Sequence, residues 1–222
     1  MMANLDGQAP FVEEARRTHS QVITASHILL GEGKDEVRFF EALGCHIGLR
    51  DFQAMDYAGK NNLRPFLSQF PKMRDFAQVA SVIVTRDADH DWGNTFASVR
   101  DALANAKLPV PSALMEWVGD ATKVSIMLLP ENGANGTLED LCLAAVSEDP
   151  AMSCVNEYFS CLQCHSVPSG IWVSKAKVHA FLSSRPEPDC RLGEAAEKRY
   201  WYFDHTAYDE VKRLLKELTR EA

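Results

Sequence analysis

Short aliphatic runs alternate along the first two thirds of the chain with stretches whose apolar residues recur at helical spacing. Ile28-Leu29-Leu30 is the first run. Gly31-Glu32-Gly33-Lys34-Asp35-Glu36 follows at once, and Val37, Phe40 and Leu43 then fall on one helical face that stops at Gly44. Phe52 to Tyr57 predicts a second strand, and Leu63, Phe66, Leu67 and Phe70 a helix after the turn Gly59-Lys60-Asn61-Asn62. Ala80 to Thr85 predicts a third strand, with Phe96, Val99 and Leu103 on the helix behind it. Residues 108–120, with two prolines and Gly119, form a connection with room for a short strand near Leu114. Val124 to Leu129 predicts a fourth strand; a turn-rich loop follows, and a helix opens at Thr137-Leu138-Glu139-Asp140-Leu141. Strand alternating with helix predicts an α/β fold over residues 22–148: a Rossmann-like, mostly parallel four-stranded sheet with right-handed crossovers, flanked by helices.

From Pro150 onward the pattern is helical, at Val155 to Leu162, Ser174 to Leu182 and Tyr208 to Leu218. Residues 149–222 are therefore expected as a C-terminal helical extension packed on the α/β domain, and residues 1–21 as a polar N-terminal tail. The aromatic run Tyr200 to Phe203, beside Lys198 and Arg199, has two readings: stacking on bases, or a core anchor for the last helix.

Composition narrows the function classes. A net charge of −8 (23 basic and 31 acidic residues) argues against affinity for nucleic acid through a broadly basic surface. It leaves room for an enzyme whose carboxylate-held cations reverse the local field. No segment reaches the roughly 20 apolar residues of a membrane span, and the polar N-terminus lacks the regions of a signal peptide. A cytoplasmic protein with reduced thiols is expected for the six cysteines. Cys161-Leu-Gln-Cys164-His165 fits the pattern of covalent haem attachment, which requires export, and overlaps an incomplete zinc set with Cys154; plain thiols remain the third reading.

The chemistry concentrates in acids. Thr85-Arg86-Asp87-Ala88-Asp89-His90-Asp91 ends a buried strand in three alternate carboxylates, and in extended chain Asp87 and Asp89 point the same way and can grip one hard cation. The competing reading is a loop that caps the next helix. Glu32 follows the first strand and Glu139 the fourth, so in a parallel sheet all these acids share one edge. Thr137 and Asp140 have capping-box spacing, and acids in a first helical turn are favoured by the helix dipole, which is a structural reading of Glu139 and Asp140. Lys60 beside Gly59 can meet a phosphate or be a solvated turn lysine. No phosphate-binding Gly-x-x-x-x-Gly-Lys-Ser/Thr loop occurs.

Gly31-Glu32-Gly33-Lys34-Asp35-Glu36 after a strand, Asp87-Ala88-Asp89 after a later strand, and Leu138-Glu139-Asp140 at a helix start resemble a Toprim domain, the metal-binding module of topoisomerases, primases and certain nucleases. The resemblance covers about residues 25–145. Its Leu-Glu-Asp element looks closer to the overcoming-lysogenisation-defect nucleases, and the whole chain is similar to a family of small uncharacterised bacterial Toprim-related proteins. The resemblance implies Glu32 as metal ligand or general acid/base, and Asp87 and Asp89 as the metal-binding pair. It further implies Glu36 and Glu139 as additional acidic ligands, with Lys34, Asp35, Asp91 and Asp140 in support. Gly31 departs from the pattern, which usually has an apolar residue there.

Mg²⁺ or Mn²⁺ and phosphodiester chemistry on DNA or RNA are the expectations that follow. The alternatives are a non-catalytic Toprim-like module that binds nucleic acid or protein, and a partner-dependent subunit; whether the chain forms an oligomer or takes a protein partner is left open.

Overall fold

The computed structural model describes residues 22–131, 133–163 and 171–219. Strands β1 (His27–Gly31), β2 (Phe52–Asp56), β3 (Ser81–Asp87) and β4 (Lys123–Leu129) form one sheet in the order β2-β1-β3-β4, every pair parallel. The fold is thus α/β, as the alternation predicts. Helices α1 (Lys34–His46), α2 (Leu63–Gln69), α3 (Trp92–Asn105) and α4 (Leu138–Ala145) follow the strands; α5 (Pro150–Gln163), α6 (Ile171–Leu182), α7 (Leu192–Glu197) and α8 (Asp209–Leu218) complete the chain.

Strand order and handedness together place the helices. The chain moves from β1 to β2 in one direction and returns past β1 to β3 in the other, so right-handed crossovers put α1 on one face and α2 and α3 on the opposite face. Side chains of each strand alternate between these faces. Leu29, Ile83, Met127 and Leu129 pack with Phe39, Phe40 and Leu43 of α1, whereas Ile28, Leu30, Val82, Val84 and Ile126 pack with Leu63, Leu67, Val99 and Leu103 of α2 and α3. A parallel sheet covered on both faces needs such unbroken apolar strands.

Helices α4 to α8 extend the α1 face. Val155, Phe159, Phe181, Trp201, Tyr208 and Leu214 belong to the same buried cluster as Leu29 and Ile83, so the C-terminal helices share one core with the sheet. The α8 stripe of Val211, Leu214, Leu215 and Leu218 is buried, and each such side chain contributes about 1.5–3 kcal/mol relative to exposure. At the amino-terminal edge of the sheet, Ser81 Oγ donates to the Leu218 carbonyl at 2.8 Å and lies 2.7 Å from His27 Nδ1, pinning the end of α8.

Three local features add to the sequence reading, the first by correcting it. No strand forms at Leu114, among the described residues; Met115 N–H donates to the Ile126 carbonyl, and Val118 makes an isolated antiparallel bridge to Val124. Leu192 to Glu197, whose short apolar pattern gives no helical period, forms α7, with Glu194 accepting the Arg191 N–H at its start. The aromatic run is a core anchor at Trp201 and Phe203, 1 % and 5 % exposed, with Trp201 stacked on Phe181. Residues 1–21 and Cys164-His165 lie outside the described residues. Cys154 and Cys161 are exposed thiols on α5.

Candidate active site

The opposite departures of α1 and α2 leave a crevice at the carboxyl ends of β1 and β3, the position where open α/β sheets accept ligands. Glu32 is the first residue past β1 and Asp87 the last of β3. Gly31 allows this crowding, because a Cβ there would stand 3.1 Å from Glu36 Cβ. The glycine lets the first turn of α1 fold directly over the strand end, which accounts for the absence of an apolar side chain before Glu32. Glu36 Oε2 then accepts the Gly33 N–H at 2.7 Å, the half of a capping box that a glycine N-cap allows at the start of α1.

The second wall comes from α4. Asp87 Oδ1 accepts the Leu138 N–H at 2.9 Å, joining the end of β3 to the first turn of the helix that carries Glu139. Asp140 accepts the Thr137 N–H at 2.8 Å as the capping box predicts, and the Ser174 hydroxyl of α6 also donates to it. One residue along on each helix, Lys175 Nζ stands 3.7 Å from Glu139 Oε1. The result is a cleft of about 410 Å³ lined by Glu32, Lys34, Glu36, Asp87, Glu139 and Lys175 among others.

Burial and mutual repulsion dominate its electrostatics. Asp87 is held well above the usual carboxylate range, first by desolvation and then by the charges of Glu36, Glu139 and Glu32. Glu36 is pushed up to about 7, again by burial first and by Glu32 and Glu139 in addition, against the stabilising N–H of Gly33. Glu32 is raised by burial and by Asp89, and lowered by Arg86, by Lys60 and by the Lys60 backbone N–H. Five carboxylates thus share one field. All donors are hard oxygens in a cleft where repulsion favours a dication, which fits Mg²⁺ or Mn²⁺.

Among the described residues no three acidic, histidine or cysteine side chains stand in a preformed metal-ligating arrangement. The reason is visible in their partners: Glu36 is turned to Gly33, Asp87 to Leu138, Glu139 to Lys175 and Asp89 to Lys60. Gathering a cation requires these carboxylates to exchange hydrogen bonds and ion pairs for metal contacts.

The expected pairing of Asp87 with Asp89 through extended chain is not what forms. Asp89 has φ 54°, a left-handed turn that breaks the strand alternation, and its backbone exchanges two hydrogen bonds of 2.9 Å with Gly136. Its carboxylate faces Lys60 Nζ at 3.5 Å, so Asp89 approaches from the side of Glu32 and Lys60. Asp91 is the N-cap of α3, accepting the Asn94 N–H at 2.9 Å. Asp35 accepts the Gly193 N–H at 3.2 Å and ties α7 to α1. Lys34 opens α1 at the cleft wall.

Three groups at this edge have no counterpart in the sequence argument: Arg86 beside Glu32, Lys175 beside Glu139, and Asp56 at the end of β2. Asp56 follows the same rule as Glu32, a carboxylate at a strand end, and was legible by it. Lys175 carries no local signal, because only the docking of α6 on α4 brings it there.

Residues 26–220 match the family described as "Protein of unknown function (DUF3226)". The chain belongs to this family. Its match spans the sheet, the acidic edge and the C-terminal helices together, so Glu32, Asp87, Glu139 and Lys175 all fall within the family's extent. No curated protein and no solved structure matches the chain.

Proposed function

We propose that the chain performs divalent-metal-dependent phosphodiester chemistry on nucleic acid at a Toprim-like acidic site. The observation that carries this reading is the convergence of Glu32, Glu36, Asp87 and Glu139 on one cleft at the β1/β3 crevice, with three of the four held above the ordinary carboxylate range. Perturbed titration at a strand-end crevice marks functional sites more often than structural ones. Glu32, Asp87 and Glu139, with Glu36 and Asp89 flanking, would hold the Mg²⁺ or Mn²⁺. The ion, when bound, supplies Lewis acidity and a more acidic water. Glu32, just past the end of β1 on the cleft wall, is the residue placed to accept a proton there. Lys60 stands beside Asp89 and Lys175 beside Glu139, where each can meet a phosphate oxygen.

Incubating plasmid, RNA and single-stranded DNA with the full chain and Mn²⁺ or Mg²⁺ tests the proposal. Cleavage that disappears in Glu32→Ala and Asp87→Ala supports it, and cleavage unchanged in both overturns it. The ion pairs Lys60–Asp89 and Lys175–Glu139 favour a second reading, a non-catalytic binding module whose acids are balanced by the protein's own lysines. Calorimetry showing no uptake of Mn²⁺ or Mg²⁺ at millimolar concentration selects that module.

A further inference from the structure

We propose that Trp92 is a stacking platform for an unpaired nucleobase, so that the nucleic acid taken up beside the acidic cleft is single-stranded or locally opened. The inference rests on the phosphodiester reading and adds strandedness to it. Trp92 is the first residue of α3 and is 40 % exposed, although an indole is among the costliest side chains to leave in water. Its mount is braced on every side. The Trp92 N–H donates to Asn135 Oδ1 at 2.9 Å, and Asn135 Nδ2 donates to the His90 carbonyl at 2.8 Å. The next residue, Gly136, exchanges two backbone hydrogen bonds with Asp89, and Asp91 caps the helix on which the ring stands.

The loops after β3 and β4 are therefore locked together, and the piece they form carries an exposed indole three residues after Asp89. Lys60 Nζ, 3.5 Å from the Asp89 carboxylate, gives the same region a phosphate-seeking cation. A strand with a phosphate at Lys60 meets the loop after β3 that carries both Asp89 and Trp92. The π face of tryptophan accepts any base, but only one whose own face is not already covered by a duplex neighbour.

The test is fluorescence anisotropy of the full chain with a labelled twelve-nucleotide strand, its duplex, and the same strand carrying abasic positions, as DNA and RNA, with Ca²⁺ as the dication. The expected result is tighter binding of the single strand than of the duplex, and a loss of about tenfold on the intact strand in Trp92→Ala. Trp92→Phe retains most of the affinity but loses the quenching of indole emission. The abasic strand binds wild type and Trp92→Ala alike. Equal binding of the intact strand by wild type and Trp92→Ala overturns the inference, as does an equal loss on duplex and abasic strands. Wild type that binds none of these strands overturns the nucleic-acid reading itself, a result distinct from an indifferent Trp92.

Discussion

Asp87 at the end of β3 accepts the backbone N–H of Leu138, at 2.9 Å, and that one bond sets the acid of the strand against the helix turn that carries Glu139. The bond survives replacement of the carboxylate by an amide, because the amide oxygen still accepts it. Asp87→Asn therefore removes a charge without removing the tie. In metal-free protein, at pH values where Asp87 is ionised, the variant relieves burial and like-charge repulsion, and it is expected to melt higher than wild type. Saturating Mn²⁺ raises the melting temperature of wild type but not of Asp87→Asn. Thermal scans with and without Mn²⁺ check both signs, and a variant that melts lower than wild type without metal refutes the repulsion argument.

The raised carboxyls fix a pH dependence. Glu36 has a folded pKa of about 7 against an ordinary value of 4.5, so the folded chain holds more protons than the unfolded chain between those values. Its stabilising contribution is complete below pH 4.5 and is lost as pH rises through 7, by an amount on the order of 3 kcal/mol. Asp87 and Glu32, also raised, act in the same direction. Urea midpoints measured from pH 5 to pH 8 are expected to fall across that window. Glu36→Gln flattens the slope, and an unchanged slope in that variant contradicts the assignment.

How much of this could be read before any coordinates depends on the range of the interactions. The four strands and their parallel sense follow from apolar runs alternating with helical periods, and the shared edge of Glu32, Asp87 and Glu139 follows from strand polarity alone, whereas the order β2-β1-β3-β4 comes only with the fold. The pairing of Asp87 with Asp89 fails because periodicity cannot foresee the left-handed turn at Asp89, which the Gly136 backbone stabilises from 47 residues away. Trp201 and Phe203 were ambiguous for a related reason: an aromatic run is compatible with a core or a surface until its partners, here Phe181 and Phe39, are known.

Gly193 marks where α7 crosses α1. A Cβ at this position would lie 2.8 Å from both Arg38 Cβ and the Asp35 carbonyl oxygen, neither of which can retreat, and the Gly193 N–H donates to the Asp35 side chain. Gly193→Ala forces the helices apart and weakens that bond together with the Arg38–Glu194 ion pair. The expected cost is about 2–3 kcal/mol, the range of an overpacked core. A urea denaturation series measures it, and a midpoint equal to wild type shows that α7 shifts without penalty.

Lys175 carries the influence of the C-terminal helices to the acidic edge. Its position is set by the neighbouring Ser174–Asp140 hydrogen bond, and its Nζ offsets the charge of Glu139 at 3.7 Å. The lysine side chain is 45 % exposed, so the pair contributes at most about 1 kcal/mol to stability, and Lys175→Met is expected to shift the melting temperature by less than about 4 °C. Its effects on ligands have opposite signs. Glu139 without its lysine offers more charge to a dication, so Mn²⁺ affinity rises several-fold, while a phosphate loses a cationic contact and oligonucleotide binding weakens. Isothermal calorimetry for Mn²⁺ and anisotropy for the oligonucleotide read the two independently. A parallel fall in both identifies Lys175 as scaffold, because a merely displaced α6 loosens Asp140, Glu139 and the cleft together.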